Sequence, residues 1–372
     1  MPGAISNDAA TPAPAERVCG IYHITHPRSA SNLFQNMMGR QPGFQYSSYK
    51  LFGAGFGALT QLQRGPLGEW PKEDRERLFG LFEAGFEGMQ EEVEGAVRSV
   101  SFNFPVSLLL IFLGGDRRKR KRKERESVLG WSPRAICMVG GKKLFMKEHA
   151  VFLSAADKLL GRIYNNDNVA PLVVHERGVA PNKSSHTNPT SLPDSFLLKF
   201  QPIFQIRHPV LMFPSLVRAQ MDVKVAGRPC DSICQVMLQL RDSRTLYDWY
   251  AAKTANTGII PRVIDADDVM NDAASMRKLC LETGLNPDAI VYEWEERVVE
   301  DPMQARFLST LAKSKGILKG LDAKGKSVEG EMEKWAKEFG REDAEELARL
   351  VERAMGDYEY LYGKRTVAEE TE

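Results

Sequence analysis

The tightest constraint in this chain is a rhythm. Short apolar runs stop at a proline or a small-residue turn, and each hands over to a longer segment whose apolar residues recur every three to four positions. Residues 18–24, Val-Cys-Gly-Ile-Tyr-His-Ile, read as a buried strand stopped by Pro27, with a helix from about Asn32. Residues 52–62 and 73–97 read as helices, the second carrying Leu78, Leu81, Phe82, Phe86 and Met89 on one stripe. Residues 143–152 form a second strand and its exit, residues 196–206 a third closed by Pro209, and residues 259–264 a further one. A helix is expected over 232–255, another over 272–283 that Gly284 can end in the left-handed conformation, and a charged helix or helix pair over 327–362. Strands alternating with helices predict an α/β fold whose mostly parallel sheet is covered by helices on both faces.

The chain of 372 residues is long enough to bury a large core, and one elaborated domain is the default. That domain is expected over 17–325, after a leader at 1–16 with neither a basic nor an apolar targeting region, and before a charged helical segment at 326–372. Hydrophobic residues at 43% and charged residues at 27% are the proportions of a soluble globular protein. Residues 99–134 break the rhythm. An apolar stretch at 104–113 runs through Gly114-Gly115 into the basic run 117–125. Blocks of like charge repel and stay solvated, so a disordered insertion is the favoured reading, beside a nuclear-localisation or acidic-surface patch and a sequence artefact such as a translated intron. The apolar stretch has about half of the roughly 20 residues that a membrane helix needs, so no membrane is expected. The net charge of +1 owes its sign to the basic run, and without a broad basic face nucleic acid is not an expected partner. Five scattered cysteines, with no CxxC pair and no histidine at zinc-site spacing, imply reduced thiols in a cytoplasmic protein and no metal site.

Function is concentrated in three places. The first is the turn from strand to helix, Thr25-His-Pro-Arg-Ser-Ala-Ser-Asn32. Backbone N–H groups and a positive helix end aim at an anion there, and the small residues let the backbone approach it closely. Arg28 can bridge anion oxygens, while Ser29, Ser31 and Asn32 add donors. The bland alternative is a proline-containing turn with Ser31 or Asn32 as the helix cap. A Walker A loop, GxxxxGK[ST], is absent, which argues against an ordinary ATPase. The second place is Ile206-Arg207-His208-Pro209 with Ser215 eight residues past the arginine, and the third is Lys147-x-His149 at a strand end. Histidine is suited to take a proton from an alcohol at neutral pH, although a core or cap histidine is the plain alternative. His23, His26 and His175 compete for that role.

The loop resembles the 5′-phosphosulfate loop of sulfotransferases that use 3′-phosphoadenosine 5′-phosphosulfate (PAPS), roughly [TS]-x-P-[KR]-[ST]-[GA]-[ST]-[TS]. Thr25, Pro27, Arg28, Ser29, Ala30 and Ser31 match, with Ala30 where glycine is usual and Asn32 for a common threonine. The resemblance implies a P-loop type of α/β fold in which Pro27, Arg28, Ser29, Ala30, Ser31 and Asn32 hold the 5′-phosphosulfate. It further implies that Arg207 and Ser215 hold the 3′-phosphate, His208 standing where Asp or Asn is commoner. Lys147 and His149 resemble the family's K-x-H segment, which makes His149 the base, with Lys147 and Arg28 stabilising charge on the sulfate. Residues 262–269 resemble a family strand and acidic turn, so Asp265, Asp267 and Asp268 read as turn and cap residues. The reaction so implied is in-line transfer from PAPS, without a metal, to a hydroxyl of a small molecule. The likeness is to divergent fungal proteins, some of them in natural-product pathways. Two other functions stay open: a kinase-like P-loop chemistry, and an interaction protein with a degenerate loop.

Overall fold

The computed structural model describes residues 18–95, 142–164 and 169–369. The expected leader and the 99–134 insertion lie outside them. Five parallel strands, β1 (Gly20–Thr25), β2 (Phe44–Ser48), β3 (Lys143–His149), β4 (Phe200–Ile206) and β5 (Arg262–Asp265), make one sheet in the order β2-β3-β1-β4-β5. The helices that matter below are α1 (Ser31–Met37), α2 (Phe52–Leu59), α3 (Lys72–Val93), α4 (Pro209–Asp222), α5 (Arg241–Thr257), α6 (Ala273–Thr283), α7 (Pro302–Ala312), α8 (Val328–Phe339) and α9 (Arg341–Tyr362). The expected α/β class is what forms.

Alternate residues of a strand point to opposite faces, and here both faces are apolar. Tyr22, Ile24, Leu144, Met146 and Phe204 feed a large core with Phe82 and Phe86 of α3, while Ile21, Phe145 and Ile203 feed a second with Phe34 of α1 and Met276 of α6. Each such side chain buried in full contributes about 1.5–3 kcal/mol. The helix pair α8 and α9 belongs to the larger core through Trp335, Leu347, Val351 and Leu361. Beyond it, the Thr366 amide donates to the Val263 carbonyl at 2.8 Å and covers the open edge of β5. Among the described residues no helix is long and apolar enough to cross a membrane.

Two local expectations differ from the structure, and one strand was not expected. Residues 194–197 form a helical turn, so the third strand begins at Phe200 rather than at 196. The helix expected over 232–255 is two, because the one at Ser232–Met237 ends where the Met237 carbonyl turns to the His26 ring, 2.6 Å away. Strand β2 has only Phe44 and Tyr46 as apolar content and reads poorly as a strand. Gly284 does end α6 in the left-handed region, at φ 75°. Cys230, Cys234 and Cys280 are free thiols, whereas Cys19 is disulfide-bonded, so the expectation of uniformly reduced cysteines does not hold for it.

A buried carboxylate locks the segment that follows β3. Asp194 accepts from the Ser185 hydroxyl (2.8 Å), the Thr187 amide (3.0 Å) and hydroxyl (2.7 Å), and the Asn188 side chain (2.7 Å). The loop so tied then donates from the Ser191 amide to the Leu153 carbonyl, 2.7 Å away, just past His149. Burial works against the charge on Asp194, but the bonds from Asn188, Thr187 and Ser185 outweigh it and hold its pKa down to about 2. Asp194→Ala, which strands several buried donors, is expected to destabilise the fold by about 2–4 kcal/mol in chemical denaturation. Because the folded pKa lies below the unfolded one, the wild-type advantage should be complete at neutral pH and fade as pH falls from about 4 towards 2.

Candidate active site

In an open parallel sheet, ligands bind outside the carboxyl ends of the strands, where neighbouring connections leave in opposite directions. Strand β1 sits at that point, with β2 and β3 on one side and β4 and β5 on the other. Its last residue, Thr25, lies level with His149 on β3 and with Gln205 on β4. The parallel register thus delivers three distant segments to one rim.

The turn after β1 is held from several sides. The Ser29 amide and hydroxyl both donate to the His26 carbonyl (3.2 and 2.7 Å), and the Gln205 side-chain amide donates to the Ser29 carbonyl (2.7 Å). Arg28 and Ala30 lie in the left-handed region at φ 68° and 62°. The usual glycine would occupy that region freely, and alanine there costs about 1 kcal/mol. Ala30, not Ser31 or Asn32, is the N-cap of α1, and no side chain caps it. Ser31 and Asn32 are committed elsewhere: Ser31 reaches the Tyr49 phenol, and the Asn32 carbonyl oxygen accepts from Lys147 Nζ at 2.6 Å.

Arg28 and Arg207 are direct neighbours. Arg207 donates to the Arg28 carbonyl (3.1 Å) and to the Leu321 carbonyl (2.9 Å), while Arg28 donates from Nε to the Ser215 hydroxyl (2.9 Å) and to the Phe307 carbonyl on α7 (3.0 Å). Burial first, then Arg306, Arg207 and Arg218, push the Arg28 pKa down to about 10. Arg218 and Arg306 have carboxylate partners in Glu338 and Asp222; Arg28 has none among the described residues. Nε of Arg207 is buried with no hydrogen-bond partner among them. Asp267 and Asp265 act on Arg207, which leaves Arg28 as the cation without a carboxylate and Arg207 with an orphaned donor, an arrangement that fits an anion. His208 caps α4 by accepting from the Val210 amide at 3.2 Å, which is the work an Asp or Asn does at that place.

On the other side of β1, Lys147 is fully buried and meets amide oxygens, Asn32 at 2.6 Å and Gln35 at 3.3 Å. Burial pushes its pKa down to about 7 against the pull of Glu148. His149 Nδ1 lies 2.6 Å from the Thr25 hydroxyl, which donates in turn to the Glu148 carbonyl at 3.2 Å. A hydroxyl has one proton to give, so Nδ1 carries the histidine's proton and Nε2 keeps its lone pair. Burial, then the charge on Lys147, holds the His149 pKa well below its ordinary value, so the ring is neutral. The competing histidines are otherwise engaged: His23 with Gln205 (2.8 Å), His26 with Met237, and His175 edge-on against His186.

Sequence reasoning missed Gln35, Tyr49 and Glu148, whose places depend on strand pairing rather than on a local pattern. It did read Asp265, which caps the helix Ala266–Asn271 through the Asp267 amide at 2.8 Å. Among the described residues no group of three or more His, Cys, Asp and Glu side chains is placed to hold a metal ion.

No protein-family model and no solved structure matches the chain. Two curated fungal proteins are similar to it over nearly their whole length. Sulfotransferase ppzF of Metarhizium majus is 27% identical over 372 residues, covering 94% of this chain and 97% of the relative. Sulfotransferase ppzF of Metarhizium rileyi is 25% identical over 370 residues, covering 94% of this chain and 96% of the relative. Likeness to these two sulfotransferases over 94% of the chain, together with the α/β sheet described above, makes the chain sulfotransferase-like and supports a transferase.

Proposed function

We propose that this protein transfers a sulfuryl group from PAPS to a hydroxyl of a small molecule. The observation that carries this reading is the meeting of Arg28, Arg207 and Ser215 beside the turn after β1, where Arg28 has no carboxylate partner among the described residues. Bound PAPS would supply the sulfuryl group and a nucleotide that leaves with the bond's electrons. Arg207, by its orphaned Nε, and Ser215 would hold the 3′-phosphate, and the turn from Pro27 to Asn32 would hold the 5′ end. Lys147 lies beside that turn and Arg28, within it, reaches towards Ser215, so both would bring positive charge near the place where the departing oxygen gains negative charge. His149 Nε2 is free to take the acceptor's proton. The natural-product class of acceptor expected from the sequence is part of this reading.

Thermal denaturation tests it. The desulfated nucleotide, at about 100 times its Kd, should stabilise the protein by about 2.7 kcal/mol, while ATP with Mg²⁺ at equal concentration should do less. Arg207→Ala removes a charge-assisted bond of about 1.5–3 kcal/mol, a loss of roughly 10- to 150-fold in affinity, and should erase that preference. Equal protection by ATP in the wild type would sink the reading. Mass spectrometry of products from PAPS and a library of phenols and alcohols identifies the acceptor.

A further inference from the structure

Tyr49 follows the last residue of β2 and has no place in the sequence motifs, yet its backbone is strained and tied down. It lies in the left-handed region at φ 61°, where a bulky residue costs of order 1–3 kcal/mol and persists only if its surroundings over-determine it. They do so here. The Tyr49 amide donates to the Lys147 carbonyl at 2.9 Å. The next two amides, Lys50 and Leu51, donate to the buried Glu148 carboxyl, the latter at 2.9 Å. From outside, Gly85 of α3 packs so closely that an added Cβ would stand 2.6 Å from the Lys50 carbonyl oxygen. Glutamate, glycine and strand edge hold one turn in one conformation.

The side chain so placed touches every part of the acceptor side. Its ring centroid lies 5.0 Å from Lys147 Nζ and 5.1 Å from the His149 ring, and its phenol is near enough to Ser31 on the phosphate-binding turn for that side chain to pull its pKa down against burial. Phe152 also packs against the His149 ring, 5.6 Å away. Lys147 has no carboxylate contact among the described residues, so the ring's negative face joins the two amide oxygens as its electrostatic support.

We infer that Tyr49 is a positioning residue for transfer: its ring fixes Lys147 and His149, and its phenol registers that pair against the turn carrying Arg28. The inference rests on the proposed sulfuryl transfer. Tyr49→Phe and Tyr49→Leu separate the parts, since both lose the phenol and keep apolar bulk in the same strained backbone, and only leucine loses the aromatic face. Tyr49→Phe is expected to lose at most about tenfold in kcat, the worth of one neutral hydrogen bond. Tyr49→Leu should lose roughly 10²-fold in kcat, because small misplacements of reacting groups cost that much, with the KM for PAPS within about threefold. The imidazole signal of His149, assigned by its loss in His149→Gln and followed by NMR against pH, should shift in Tyr49→Leu and hold in Tyr49→Phe. Leucine and phenylalanine variants alike in both kcat and the His149 titration would overturn the inference. A wild type that binds no desulfated nucleotide and sulfates nothing would instead remove the proposed reaction, and the His149 titration alone would then decide whether Tyr49 positions the pair.

Discussion

His149→Gln is expected to lower kcat for sulfuryl transfer by about 10²–10⁴-fold while the desulfated nucleotide protects the variant as well as it protects the wild type. Binding and proton removal are separable here because His149 meets the phosphate-binding turn through Thr25, whereas the anion contacts lie with Arg28, Arg207 and Ser215. The pH profile carries a second, independent expectation. Burial and Lys147 keep His149 neutral, so it contributes no acidic limb near its ordinary range. Lys147 titrates at about 7 in the free protein, and kcat/KM, which reports free-enzyme groups, should decline as pH rises through that value and the ammonium is lost. The decline should persist in His149→Gln at its lower rate. Steady-state rates from about pH 5.5 to 9 check both, and an acidic limb near 6.5 that vanishes in His149→Gln would show that the ring is not held neutral.

Chain geometry explains why the candidate site was partly legible and its surroundings were not. The turn from Thr25 to Asn32 is local: a strand, small residues and a helix in one stretch of sequence. It runs from the end of β1 into the start of α1. Arg207 and His149 lie far along the chain, and only parallel pairing brings Gln205 and His149 level with Thr25. Period-two alternation then decides the rest. Lys147 and His149 face α1 and the turn, while Glu148 between them faces the opposite core, where it holds the Tyr49 turn. A linear reading of Lys-Glu-His gives the two flanking residues and passes over the middle one. Strand β2 was illegible because an edge strand needs only one apolar face, and Phe44 and Tyr46 are too few to show it. Ala30 shows the reverse case. A departure from the family's glycine turns out to sit in the conformation that glycine adopts most readily.

The electrostatics of Arg28 give the other large effect, and its signature is that stability and function should move in opposite directions. Burial, together with Arg306, Arg207 and Arg218, lowers the Arg28 pKa to about 10, so the folded protein holds a cation that its own surroundings disfavour. A group whose charged form is disfavoured on folding detracts from stability at every pH below its unfolded pKa, and an arginine is charged throughout the working range. Arg28→Met keeps the aliphatic stem against Phe307 and removes the charge; it also releases the Ser215 hydroxyl and the Phe307 carbonyl. The ligand-free variant is therefore expected to melt no lower than wild type, since relief of repulsion offsets two lost hydrogen bonds of about 0.5–1.5 kcal/mol each. Turnover should fall by about 10²–10³-fold, the usual result of deleting a donor aimed at developing charge. Protection by the desulfated nucleotide should weaken less than turnover does, because Arg207 and Ser215 remain to hold its 3′-phosphate. Differential scanning fluorimetry with and without that nucleotide, set beside single-turnover rates from PAPS, reads all three quantities. A variant that melts well below wild type and transfers at the wild-type rate would mark Arg28 as a structural strut on α7 and remove it from the chemistry.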